Sequence, residues 1–337
     1  MVLKFINIFK VSLVAVATIG LVTAVSVVKA QQGSGDGFKI SPVKEELVLN
    51  KGEVKKLKIY VTNTTNNEVS AKAEAYNGGA TGEDGNFGID LDNKNQYSNN
   101  FKSLVAPIPA FKLAPSGQPG DKKDLDVVLT IPNNANPGAY IGAIRILPEK
   151  NQSDGQQVNI TGSVATIYLI NVAGSVKEDA NLVSFSAANY VSPTNVKTGK
   201  LLISPKKVAL VTKIKDTGNT YIKPYGKVRV YKGSKLINEY EFNDKNVNPV
   251  SILPGQTRKF VDELKIDDLG TGKYSAVAEL SYGNGGNIIT AKTSFVIMPT
   301  WMIVTIAVAL VAIVFGIVYT FARRKKGKSR SSSHKRR

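Results

Sequence analysis

Apolar residues recur at every second position along most of this chain, and clusters of turn residues break the pattern at short intervals. In Val54–Val61, Leu57, Ile59 and Val61 alternate with polar neighbours, the signature of a half-buried strand. Asn63-Thr64-Thr65-Asn66-Asn67 is a turn by composition, and Val69–Ala75 alternates again, so the two segments predict a hairpin. Phe38–Val43, Leu125–Ile131, Ala139–Leu147 and Val158–Val172 extend this first series. A second series starts near Glu178 and runs through Val208–Lys215, Lys227–Tyr231, Leu236–Phe242, Arg258–Ile266, Tyr274–Tyr282 and Ile288–Ile297. Helical periodicity is almost absent before residue 300. Short strands with turn punctuation predict an all-β chain of two tandem immunoglobulin-like β-sandwiches, residues 38–175 and 176–298. The pattern leaves open whether Val158–Val172 closes the first sandwich or opens the second.

Two segments depart from the alternation. Residues 301–322, WMIVTIAVALVAIVFGIVYTFA, carry no charge. At about 1.5 Å per residue they reach about 33 Å, enough for a hydrocarbon core of about 30 Å. Trp301 and Tyr319 stand near the ends, where amphipathic rings favour the interface. Nine Lys or Arg follow in residues 323–337. The expectation is one transmembrane α-helix in the plasma membrane, a basic cytoplasmic tail, and the bulk of the chain outside. At the other end, Lys4 and Lys10 precede the apolar run Val11–Val28, with Ala30 at a candidate cut, so residues 1–30 read as a signal peptide. An uncleaved anchor is the alternative, and it leaves the region between the spans outside all the same.

Charge changes the picture less than its total suggests. The formal net charge is +18. With three Lys in residues 1–30 and nine basic residues in the tail set aside, 32 of 44 basic residues face all 26 acidic ones, a net +6 for the exposed part. Tail charge is explained by orientation and anionic lipid, so nucleic acid is not an expected partner. There are no cysteines, and the single histidine, His334, lies in the tail. Thiol catalysis, a Ser-His-Asp arrangement and His- or Cys-based metal sites are thereby excluded from the exposed part. Without disulfides, its hydrophobic cores must hold it.

Residues 77–103 are rich in Gly, Asn and Asp and read as a long polar loop. Long loops in compact domains are often functional, and Tyr76, Phe87, Tyr97 and Phe101 in or beside this one are the candidate ligand-binding residues. Phe111 lies close by. Asp84, Asp90, Asp92 and Asp124 supply carboxylates, but DLDNKN lacks the Gly and distal Glu of a calcium loop, and a solvated turn explains them. Glu45, Glu46, Glu83 and Asp84 show no spacing that marks a hydrolase, and Ser41-Pro42-Val43-Lys44 matches a Ser-x-x-Lys nucleophile in letters alone. The expectation is a non-enzyme without metal or cofactor. Lys55, Lys56 and Lys58 suit either an anionic polymer or a strand face that resists edge pairing. Sequons stand at Asn63, Asn151 and Asn159.

Both series repeat one arrangement. Residues 49–63, LNKGEVKKLKIYVTN, and 252–266, ILPGQTRKFVDELKI, each place a Gly turn before an alternating strand. Residues 135–146, ANPGAYIGAIRI, and 269–282, LGTGKYSAVAELSY, each place a Gly turn and an aromatic before a returning strand. With FKISPVKEELVLN, DTGNTYIKPYGKVRVY, the apolar helix and the basic tail, this layout resembles the WxL-interacting protein family of cell surfaces over about residues 38–325. The chain has no Trp-x-Leu motif of its own. The resemblance implies a first sandwich that binds cell-wall polymer (peptidoglycan) and a second that binds a surface protein. The alternative is a chaperone or assembly module, in which an exposed sheet edge at Val54–Val61 captures an extended peptide by strand addition. Pilus chaperones have a similar two-sandwich plan.

Overall fold

The computed structural model describes residues 37–92, 99–149, 162–247, 249–265 and 269–329. The proposed signal at 1–30, Tyr97, the sequons at Asn151 and Asn159, and the end of the basic tail lie outside the described residues.

Among the described residues the chain is mostly β, with one 3-10 turn at Lys102–Leu104 and one C-terminal helix, and its strands gather around two separate buried cores. Nine strands build the first: β1 (Phe38–Ser41), β2 (Lys44–Leu49), β3 (Val54–Asn63), β4 (Val69–Thr81), β5 (Asn86–Ile89), β6 (Phe111–Leu113), β7 (Lys122–Thr130), β8 (Gly138–Pro148) and β9 (Val164–Val172). One sheet runs β1-β3-β7 and the other β2-β9-β8-β4-β5, with β6 also on β4. Their alternating apolar residues meet between the layers. Ile59, Val61, Val127 and Leu129 from the small sheet join Ile144, Ile146, Tyr168 and Ile170 from the large one, all without exposed surface.

The second core lies between the sheets β11-β10-β13-β16 and β12-β18-β17-β14-β15. Here β10 is Ala180–Ser192, β11 Asn195–Thr198, β12 Leu201–Ile203, β13 Val208–Asp216, β14 Tyr225–Lys232, β15 Lys235–Phe242, β16 Thr257–Glu263, β17 Gly272–Tyr282 and β18 Asn287–Met298. Leu210, Ile214 and Phe260 pack towards Val228, Phe242, Tyr274 and Phe295, with Tyr274 and Phe295 stacked at 5.3 Å. Helix α1 (Thr300–Ser329) follows at once. Its stretch Thr300–Phe321 is long and apolar enough to cross a membrane, and its side chains are exposed rather than covered by either core.

Several expectations shift. β9 pairs with β8 and β2, so it belongs to the first core. The loop expected at 77–103 is in part strand over its described residues: β4 runs on to Thr81, turns, and returns as β5. Six strands, β2, β5, β6, β10, β11 and β12, are not expected from the alternation. β6 is only three residues long, and the inward residues of β10 include the small Ala187 and Ala188, which blur the alternation.

Candidate binding edge and inter-core cleft

Of the four aromatic residues expected to bind ligand, Tyr97 lies outside the described residues, and Tyr76, Phe87 and Phe101 have different surroundings. Phe101 has no exposed surface; its ring stacks on Tyr168 at 5.7 Å and occupies the space a side chain on Gly142 would need. It is core, and a ligand cannot reach its face. Tyr76 is half-buried on β4, where its hydroxyl donates to Glu74 and Lys102 lies 5.9 Å from its ring. Phe87, on β5, is also half-buried and faces a cleft described below.

The tip of the β4–β5 hairpin spends its charges within the molecule. Glu83 pairs with Lys213 at 2.6 Å, and Asp84 pairs with Lys259 at 2.7 Å. The Lys259 amide donates to the Glu83 carbonyl at 2.7 Å, which covers the outer edge of β16. Gly85 holds φ +77°, and a Cβ there would fall 2.3 Å from the Arg258 guanidinium carbon. These contacts join the first sandwich to the second. Glu46 adds another, bonded to both Lys44 and Lys223. Burial pushes the Glu46 carboxyl up, but the two ammonium groups more than offset this and hold it below its usual range. Glu46, Glu83 and Asp84, read as calcium or hydrolase candidates, are therefore ion-pair partners, and Asp124 likewise lies 3.5 Å from Lys58. Among the described residues no group of three acids converges on a metal site.

A second joint is built from the Asp216–Asn219 turn. The Ala139 amide donates to the Asn219 carbonyl at 2.8 Å. Gly138, at φ +115°, permits this approach, since a Cβ would fall 2.4 Å from that oxygen. Asp216 holds the turn from beneath. It is fully buried, accepts the Gly218 amide at 2.8 Å, and is pushed up to about 7 by desolvation.

Between the joints lies a cleft of about 220 Å³. Phe87, Ile167, Leu169 and Ile252 line it, with Lys44 and Arg258 as its cations. Arg258 is half-buried, donates to the Ser251 carbonyl at 2.9 Å, and burial lowers its pKa.

The edge at Val54–Val61 is different in kind. β3 is an interior strand, paired along its length with β7 on one side. On the other side β1 covers only Tyr60–Asn63. In that register Val43 would next face Lys58, and Leu47 would face Val54. The chain instead turns at Pro42 and carries Lys44–Leu49 to β9 in the opposite sheet. Among the described residues, no strand pairs with Val54–Ile59 on this side. Ladder parity fixes which groups point there. Ile131 donates to Glu53, and Asn63 donates to Asp121, so odd residues of β3 bond β7. Val54, Lys56 and Lys58 therefore aim their amides and carbonyls outward, and all three are exposed. Leu57 and Leu47 lie partly buried at the margin of the core. The expected edge is thus real over Val54–Ile59, and closed at Tyr60 and Val61.

Asn63, read as a sequon, is fully buried, and its side chain bonds the carbonyls of Asn67 and Ala114 at 2.8 Å each and the Thr65 amide at 2.9 Å. In the folded chain it is a structural residue without exposed surface.

No family model and no curated protein matches the chain. Solved structures similar to it include the class 5 fimbriae chaperone CfaA, at 11% identity and a TM-score of 0.36, covering 77% of this chain and 99% of that one. The E. coli chaperone DraB matches at 12% identity and 0.32, covering 77% and 96%. The CsuC–CsuE chaperone–tip adhesion subunit pre-assembly complex of Acinetobacter baumannii matches at 13% and 0.32, covering 77% and 99%. Identities and scores this low leave function to be read from the chain's own geometry.

Proposed function

We propose that this chain is a membrane-anchored, extracytoplasmic binding protein of two immunoglobulin-like sandwiches that captures an extended protein segment by strand addition along β3. The carrying observation is the open half of that strand. Val54, Lys56 and Lys58 present three donors and three acceptors in register. Six backbone bonds at about 1 kcal/mol each reach about 6 kcal/mol, which corresponds to binding in the tens of micromolar before ordering costs. Backbone pairing alone is therefore weak. A partner with apolar residues at alternate positions adds burial beside Leu57, where the core margin is unsealed. The partner expected is thus an extended, alternating segment of another protein. This reading keeps the layout implied by the resemblance to WxL-interacting proteins and assigns the contact to protein rather than to peptidoglycan. Strand capture asks for no covalent chemistry, and the reading is of a non-enzyme.

The test is photo-crosslinking from a benzoylphenylalanine at Lys58 in the full chain, in cells, with and without Lys56→Pro. Proline removes one outward amide and no bond to β7. The reading expects a discrete crosslinked protein that disappears in the proline variant while thermal stability is kept. An equal yield in the folded proline variant refutes it.

A further inference from the structure

The sheet topology collects one set of residues at the end of the second sandwich that carries α1. β12 runs parallel to the last residues of β18, which sets Ile203 level with Met298, two residues before the helix begins. Gly272 pairs with Ile297, and Lys232 pairs with both Tyr274 and Lys235, so the β14–β15 turn and the start of β17 lie at the same end. In the facing sheet, β13 begins here at Val208, to which Leu264 donates. Six lysines far apart in sequence therefore share this end: Lys206, Lys207, Lys232, Lys235, Lys265 and Lys273. All are exposed. Their one acidic partner among the described residues is Glu263, at 2.6 Å from Lys207; Asp267 and Asp268 lie outside the description. Beside them Leu201, Ile203 and Leu236 are each close to half exposed, and Trp301 is 66% exposed.

The helix is also pinned to this end. The Ser204 amide donates to the Met298 carbonyl at 3.0 Å, the Thr300 amide donates to the Ser204 hydroxyl at 2.9 Å, and the two hydroxyls meet at 2.9 Å. Ser204 adopts φ +41° to do so, a left-handed conformation that side chains avoid. The sandwich is thus tethered at the first turn of α1 by Ser204 as well as by the chain itself.

We infer that this end of the second sandwich docks on anionic lipid headgroups, its lysines on the phosphates and Leu201 and Ile203 in the interface. The surface is continuous with the apolar helix, and its charge is complementary to an anionic leaflet. The inference rests on α1 as a membrane span and not on strand capture.

The chain has no cysteine, so single cysteines report the contact. Full-length Ile203→Cys, and Asn66→Cys on the first sandwich as reference, are placed in phosphatidylcholine nanodiscs with and without phosphatidylglycerol. The rate of labelling by a water-soluble maleimide is measured. Docking expects labelling of the Ile203→Cys variant to slow about tenfold with the anionic lipid, while the reference is unchanged. High salt, or Lys206→Glu with Lys273→Glu, restores the fast rate. Equal rates in both lipids, equal slowing of the reference, or slowing that survives charge reversal overturns it. A chain that does not stay in the discs overturns the span and the docking together.

Discussion

Phe101 is the sharpest place to set the structure against the sequence, because an exposed ligand contact and a core residue respond oppositely to truncation. Phe101→Ala removes a ring with no exposed surface that stacks on Tyr168 and lies on bare Gly142. Removal of a buried Phe costs about 3–5 kcal/mol in lost transfer and cavity energy. The first core spans roughly 135 residues, for which about 2–6 °C accompanies each kcal/mol, so its melting temperature should fall by about 6–30 °C. Gly142→Ala should not be rescued by the truncation. Its Cβ would also meet the Tyr76 carbonyl at 2.4 Å, a backbone group that cannot withdraw. The assay is scanning calorimetry of the full chain in detergent, where the second core serves as internal reference. Phe87→Ala is the control, since its ring is half-buried at a cleft and should cost under about 2 kcal/mol. A Phe101→Ala shift below about 3 °C, or one smaller than that of Phe87→Ala, refutes the packing argument.

Lys56→Pro and Leu57→Pro should differ sharply in stability: the first loses an outward amide, the second an amide bonded to β7 and about 3 kcal/mol or more, read by urea unfolding. Asp216 should make stability pH-dependent. Its folded pKa near 7 exceeds the ordinary carboxylate value, so the folded state binds the extra proton between about pH 4 and 7 and stability falls as pH rises across that window, by up to about 4 kcal/mol. Asp216→Asn should flatten that slope in melting curves from pH 4 to 8. Glu83→Gln with Asp84→Asn should cost only about 1–2 kcal/mol, since both pairs are partly exposed, and the loss should shrink in high salt. Asn63→Ala removes the bonds to the part-buried Asn67 and Ala114 carbonyls and leaves the buried Thr65 amide unpaired, so it should cost about 2–4 kcal/mol in denaturant titration.

Strand identity was legible in the sequence because each sheet has one face towards a core, and burial imposes a period of two on residues such as Leu57, Ile59 and Val61. The helix was legible for a related reason: no sandwich face tolerates a run from Trp301 to Phe321 with neither charge nor alternation. The candidate site was less legible. Polarity made residues 77–103 read as loop, yet Glu83 and Asp84 are polar because they meet Lys213 and Lys259 across a joint. Phe101 read as exposed because its neighbours in sequence are polar, although its neighbours in space are Tyr168 and Gly142.

By itself, then, the sequence determined what local periodicity encodes: strands, turns, the apolar helix, and the exclusion of cysteine and histidine chemistry. Only the tertiary structure decided which edges meet. Pairing register is a long-range property, set by packing between segments tens of residues apart. It placed β9 in the first core, and it left half of β3 open when the chain crossed at Pro42 to reach β9. The same register drew lysines from residues 206 to 273 onto the end that bears α1.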